Sequence, residues 1–291
     1  MKRLLVLFIS ALFSAVLLCG WKTENTIALS EALKTGKVNA KLTGLGGHSG
    51  KCVSMTIENK SGKSTSFLLR AGEIMNSEDE GEQDLLVVHD QNIPLAAGQK
   101  KNVQLEGFCC QLHNASPGSG SGFKLGKQAS DNLKKLCVWL KGKPIPYEVL
   151  QEAVWCLSDG NSPSNISVAE DSPQAEPVKQ LRKRVCDLTK QADTWYSTPQ
   201  QRILNEERQI ESNPVEVFGD IEYTIKNTSS ILGEVRNERN EVVIKMGEAQ
   251  PLPAGTFTYF FHIKVLGYPK GHYHVLIKSG TEQIMDKEFV I

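Results

Sequence analysis

The chain is 291 residues long, 40% of them hydrophobic, and its 33 basic and 33 acidic side chains give a formal net charge of zero. A neutral chain with no basic half lacks the electrostatic footprint of a nucleic-acid-binding protein. Beyond the first twenty residues no run reaches the about 18 unbroken apolar residues of a spanning helix, so no transmembrane segment is expected in the mature chain.

Residues 1–20, "MKRLLVLFISALFSAVLLCG", join a basic start at Lys2 and Arg3 to an apolar run from Leu4 to Leu18. That pattern predicts a secretory signal, removed from the mature chain. Cleavage after Gly20 leaves a soluble protein. A lipid anchor on Cys19 is the alternative, although Leu18 stands where a lipoprotein signal needs a small residue. The expected location is therefore the periplasm, the outer surface or the secreted space.

Export gives the cysteines meaning. Without Cys19 six remain, Cys52, Cys109, Cys110, Cys137, Cys156 and Cys186. An even set in an oxidising compartment predicts structural disulfides, though the connectivity stays open.

From Val38 to Gln104 short alternating or β-branched runs are separated by Asn, Gly, Pro and Ser clusters, which predicts antiparallel strands. Before them, "IALSEALKTGKV" allows one or two helical turns from about Ser30. The period then changes. Leu133, Leu136, Cys137 and Leu140 make one amphipathic helix with Ser130 or Asp131 placed to cap it. A second helix carries Leu150, Val154 and Leu157, with Pro146 in its first turn and Gly160 at its stop. Val178, Leu181, Val185 and Leu188 mark a third. A polar connector follows, with room for a short helix after Pro199. From Val215 onward strands return without a helical interruption.

The expected fold is mainly β with α: an N-terminal β-sandwich with three packed helices, then a C-terminal Ig-like β-sandwich. The expected division is a signal peptide at 1–20, a first domain at 21–196, a linker at 197–213 and a second domain at 214–291.

Two stretches resemble known families. The segment with "IENKSG", "LRAGEIMNSEDEGEQDLLVV", "FCCQLHNASP" and "LQEAVWCLSDG" resembles a recurrent domain of secreted bacterial proteins, of unassigned activity, over residues 27–196. The tail, "PLPAGTFTYFFHI" and "YPKGHYHVLIKSGTEQIMDKEFVI", resembles the Ig-like sandwich of flagellar hook-capping proteins and, more loosely, the sorting domains of type-nine secretion.

The chemistry centres on "FCCQLHNASP", residues 108–117. A zinc site on Cys109, Cys110 and His113 is disfavoured, because adjacent strand residues point to opposite faces. A disulfide between the two neighbours would be strained. Opposite-facing cysteines instead suit bonds to two partners, one on an early strand such as Cys52 and one on the helices, Cys137 or Cys156.

A sharper expectation comes from a resemblance to the thioester domains of surface adhesins, where a cysteine after an aromatic residue bonds to a glutamine in a Gln-x-Ala-x-Trp motif. Phe108-Cys109 and Gln151-Glu152-Ala153-Val154-Trp155 offer that pair. The spacing is shorter than the family's and Gln151 lacks a preceding Thr. The plainer reading is that Gln151, Val154 and Trp155 share a helical face and cover the sheet.

Other motifs are read as structural. "GSGSG", residues 118–122, lacks the frame of a phosphate loop and reads as a flexible turn. "EDEGEQD", residues 78–84, lacks the spacing of a calcium loop and reads as a solvated turn. His272 and His274 share one face of a strand around Tyr273. With no nucleophile elbow and no metal or cofactor motif, the functional expectation is an exported, non-enzymatic binding or structural protein of the cell envelope or secreted space. It would bind a protein or glycan at the cell surface. The alternatives are a covalent adhesin with a Cys109–Gln151 thioester, and a hydrolase. The loops after Ser77, around Asn114 and around Gly160 are the expected contact surface.

Overall fold

Alternation of apolar and polar residues governs most of the 25–291 stretch that the computed structural model describes. The expected secretory signal and Cys19 lie outside the described residues. Strands β1 (Asn25–Ala28), β2 (Val38–Leu45), β3 (Ser49–Asn59), β4 (Thr65–Leu69), β5 (Glu73–Ser77), β6 (Leu85–Leu86), β7 (Gln91–Leu95), β8 (Lys100–Cys109) and β9 (Ser119–Gln128) come first, with one short helix, α1 (Leu29–Lys34), among them.

Six of these strands do not stack as the expected sandwich. They close into a barrel in the order β2-β3-β8-β6-β5-β9, and β9 returns to pair with β2. Register shifts at Gly50/Val53, Thr43/Leu45 and Ile74/Met75 supply the bends that closure needs. The other three form a sheet in which β1 runs parallel to β4, and β4 antiparallel to β7.

The stretch "GSGSG" is not a flexible turn. From Ser119 it belongs to β9, and Gly44 opposite has no room for a side chain, since an added Cβ would lie 2.5 Å from the Gly118 carbonyl. Val53, Met55, Ile57, Phe67 and Leu105 fill the core of this β-region.

Helices α2 (Asp131–Leu140), α3 (Tyr147–Ser158) and α4 (Ala175–Thr189) pack together on a second core containing Leu136, Leu150, Val154, Leu181 and Val185. Ser130 is the N-cap of α2, without a side-chain hydrogen bond. Trp155 turns the other way and is buried in the barrel core. Thus α3 spans both clusters, and its face is divided between them rather than covering one sheet.

Residues 197–213 are not a polar linker with a helix. They contain β10 (Gln200–Leu204), antiparallel to β11 (Ile210–Pro214). This hairpin is fixed to the first module: Ile210 packs on the barrel core and Arg208 donates to Glu82 at 2.7 Å.

The remaining strands are β12 (Glu216–Ile225), β13 (Ser229–Asn237), β14 (Val242–Lys245), β15 (Gln250–Leu252), β16 (Gly255–Lys264), β17 (His272–Ser279) and β18 (Glu282–Val290). β12 pairs with β16, and β14-β13-β17-β18 form a second sheet with β15 added to β13. Val217, Ile221 and Phe261 of the first sheet share one core with Val235, Val275 and Phe289 of the second.

The two modules meet at residues 193–198. Arg182, buried on α4, donates to Asp193 Oδ1 at 2.6 Å, to Ser197 Oγ at 2.9 Å and to the carbonyls of Thr194 and Tyr196 at 2.6 and 2.9 Å. From the same segment, Trp195 Nε1 donates to the Glu288 carbonyl at 2.6 Å, and the Tyr196 hydroxyl accepts from the Val290 N–H at 3.1 Å. Among the described residues no helix is long and apolar enough to cross a membrane.

Candidate functional site

The end of β8 carries Phe108 and Cys109, both fully buried. Strand alternation sends Cys109 into the barrel core and leaves Cys110 against the helical core, so the two neighbours do face different partners. α3 then lies across the strand end. Tyr147 in its first turn meets Phe108 edge-on at 5.8 Å and donates to Glu106 Oε1 at 2.5 Å.

One turn further along α3, the Gln151 side chain meets Cys109. Gln151 Nε2 donates to the Cys109 carbonyl at 2.7 Å, and the Cys109 N–H donates to Gln151 Oε1 at 3.0 Å. Gln151 is 1% exposed, so both halves of its amide must find partners inside the protein. The pair expected from the Gln-x-Ala-x-Trp resemblance is thus in contact, although 42 residues separate its members.

The surroundings hold groups with no expected role. The loop from β2 to β3 reads Gly46-Gly47-His48, and both glycines take left-handed φ angles of 88° and 89°. That turn folds the loop over the strand end, where the His48 carbonyl accepts the Cys109 N–H at 3.0 Å. The His48 ring stacks on Trp155, with 5.7 Å between ring centres, and its Nε2 lies 3.7 Å from Glu148 Oε2. Burial pushes the imidazole below its ordinary proton affinity, opposed in part by Glu148 and reinforced by Arg202.

Arg202, on β10, reaches back to the same helix. Its guanidinium sits 5.0 Å from the Trp155 ring centre and makes a forked ion pair with Glu152. Burial raises the Glu152 carboxyl and Arg202 pulls it down, with burial the larger of the two effects. Beside Arg202 opens a cleft of about 300 Å³, lined also by Leu112, Ser164, Thr198 and Lys270.

No disulfide joins the six cysteines among the described residues; they stand as thiols. Burial raises each one: Cys52 and Cys137 to about 11, Cys110 to about 12, and Cys109, Cys156 and Cys186 above the ordinary range. Four thiols contact backbone carbonyls, Cys52 that of Gly107, Cys110 that of Asp84, Cys137 that of Val87 and Cys156 that of Ser162. Among the described residues, the sulfur of Cys109 makes no such bond.

The other expected features separate clearly. The three loops named as a contact surface lie together: Glu82 bridges to Ala115, and the Leu112 N–H donates to Asp159 Oδ1 at 2.9 Å. His113 is an exposed turn residue there. The acidic stretch 78–84 is only partly solvated, since Glu82 and Gln83 are buried and Glu82 is paired with Arg208. His272 and His274 face Glu288 and Asp286 on β18, with Tyr273 turned into the core.

Sequence reasoning missed His48 and Arg202. The glycine pair before His48 was its only local signal, and Arg202 reaches Glu152 across 50 residues with none. No family model matches the chain, and no curated protein matches it.

Proposed function

We propose that the chain is an exported binding protein of the cell envelope or secreted space that holds its target through a covalent bond from Gln151. The observation that carries this reading is the closed pair of hydrogen bonds between the Gln151 amide and the Cys109 peptide group. It fixes the Gln151 carbonyl against the backbone of Cys109, the residue whose thiol has no hydrogen-bond partner among the described residues, and the Cys109 N–H polarises that carbonyl.

The chemistry balances without an added reagent. The Cys109 sulfur attacks Gln151 Cδ, the S–C bond forms, the C–N bond breaks, and the thiol proton leaves with the amide nitrogen as ammonia. A primary amine of a target, such as a lysine side chain, then attacks the thioester carbonyl, leaving an amide on Gln151 and a thiol on Cys109. Burial keeps water from the thioester before a target arrives.

Intact mass of the mature protein tests this. A mass lower than the sequence value by one ammonia is expected, and Cys109→Ala and Gln151→Ala each abolish the loss. A full-length mass without that loss leaves a non-covalent binding protein, in which the same two bonds only satisfy a buried glutamine.

The second module belongs to this reading as an Ig-like sandwich that spaces or docks the first. Disulfides belong to it as well. Cys186 weighs electrostatically on the Cys156 thiol across the α3–α4 packing, as Cys52 does on Cys109. Of these two pairs, Cys156–Cys186 leaves Cys109 free for a thioester and Cys52–Cys109 does not.

A further inference from the structure

We propose that the chain carries a second site, where its two modules meet, for a small organic ammonium ion of the choline type. The site is an aromatic and acidic cleft on the outer face of the β12–β16 sheet, and neither Cys109 nor Gln151 lines it.

Strand alternation builds it. Val217, Ile221 and Phe261 point into the core of the second module, so Phe218 on β12 and Phe260 and His262 on β16 stand on the opposite face. Phe218 and His262 pair directly across the two strands, and Phe260 pairs with Asp220 one step along the same face. The three ring centres lie 6.2 Å from one another, and the rings are inclined by 45° to 89°, so none lies flat on its neighbour. A cation over the middle of that triangle lies within about 6 Å of all three centres, the range of cation–π attraction.

The charge around the rings has one sign. All three line a cleft of about 410 Å³ whose other polar lining is Glu170, Asp171 and Glu216, and no Lys or Arg is among its described lining residues. Glu216 is paired with His262 Nε2 at 2.8 Å, whereas Glu170 and Asp171 are exposed and have no ion-pair partner among the described residues. Aromatic rings beside carboxylates, without a competing cation, suit a quaternary ammonium group: the ring quadrupoles attract its spread positive charge and the carboxylates need no hydrogen bond from it. An anion would meet only repulsion from the three carboxylates.

A second observation extends the site. An adjoining cleft, also of about 410 Å³, shares Phe218, Phe260 and Glu170 with the first and is lined as well by Ser167. Ser167 Oγ is buried and has no hydrogen-bond partner among the described residues. A hydroxyl on the arm of the bound ion would supply that partner. Lys179 and Lys183 of α4 line this second cleft and not the first, so the ammonium group belongs in the first and the polar arm in the second.

The test is isothermal titration calorimetry of the full mature chain with choline and with its uncharged analogue, in which a quaternary carbon replaces the nitrogen. Choline is expected to bind saturably and about 10-fold or more tightly than the analogue. Phe260 is 42% exposed and lies outside the core, so Phe260→Ala is expected to keep the fold and to weaken choline about 10-fold, with Phe260→Tyr restoring it. Glu170→Gln, at an exposed position, is expected to narrow the difference between the two ligands and serves if Phe260→Ala does not fold. Choline binding is expected unchanged in Cys109→Ala, which separates this site from the thioester.

Equal affinity for choline and its uncharged analogue would overturn the proposal, since it would show an apolar cleft without recognition of charge. So would a choline titration that does not saturate below about 10 mM, or wild-type affinity in both Phe260→Ala and Glu170→Gln. Capture of the chain by phosphatidylcholine vesicles without binding of free choline would overturn it in favour of a membrane surface.

Discussion

Gln151 on α3 and Cys109 at the end of β8 share two hydrogen bonds, at 2.7 and 3.0 Å, that close a ring between a side-chain amide and a peptide group. The Cys109 N–H has a second acceptor in the His48 carbonyl, whereas the helix supplies the donor to the Cys109 carbonyl. In a Cys109→Ala background, where no thioester forms and the amide stays whole, Gln151→Ala leaves a buried carbonyl unmet and is expected to cost about 1 to 3 kcal/mol in urea unfolding. Gln151→Glu puts a charge in the same place and is expected to cost more, with a loss that grows as pH rises through the carboxylate range. Equal stability of the two variants at pH 5 and pH 8 would show that the amide pair bears no load.

Arg202 and Glu152 form the second fixed relationship of the site, both with side chains about one-tenth exposed. Removing one partner leaves the other charge buried, so Arg202→Met is expected to lose about 3 to 5 kcal/mol. Glu152→Gln in the Arg202→Met background is expected to recover a large part of that loss. A double-mutant cycle in urea reads the coupling, and additive effects would contradict it.

Arg182 bonds four residues of the segment that joins the modules. Its loss takes the donor from the Thr194 carbonyl, while the Tyr196 carbonyl keeps the Thr194 hydroxyl. Arg182→Ala is expected to destabilise the chain by about 2 to 4 kcal/mol and to expose the 193–198 joint to limited proteolysis. Cleavage kinetics at the joint equal to wild type would refute this role.

His48 gives the fold a pH dependence of known sign. Its affinity for protons is lower in the folded chain than the ordinary value of 6.5, so the unfolded chain protonates first. The contribution is fully present above that value and is lost as pH falls below it. Urea midpoints measured from pH 8 down to pH 5 are expected to fall more steeply for wild type than for His48→Gln. Parallel curves would show that the imidazole is not held away from its proton.

Much of the fold is written locally. The three helices fall on the periodic stretches around Leu136, Leu150 and Leu181, and α1 on the helical turns expected from about Ser30, because each has an apolar stripe to bury. Gly160, with φ at 78°, follows the end of α3 as its position predicts. The opposite faces of Cys109 and Cys110 follow from strand alternation alone.

Closure of the barrel was not legible. It depends on bulges such as the one between Gly50 and Val53, and these mark which strand ends meet rather than which residues are apolar. The β10–β11 hairpin was hidden for a related reason: "QQRIL" has little alternation, and its place is fixed by Arg202 and Arg208 reaching residues far behind them in the chain. The candidate site divides along the same line. Cys109 and Gln151 carried a motif, whereas His48 and Arg202 acquire meaning only once the loop and the hairpin have folded onto α3.

The central claim is that Gln151 carries the acyl group. Purified mature protein incubated with isotopically labelled methylamine, digested and sequenced by mass spectrometry, tests it at one residue. The label is expected on the side chain of Gln151, with a free thiol at Cys109 and no label in Cys109→Ala. An unmodified Gln151 in a protein of full mass would contradict the account.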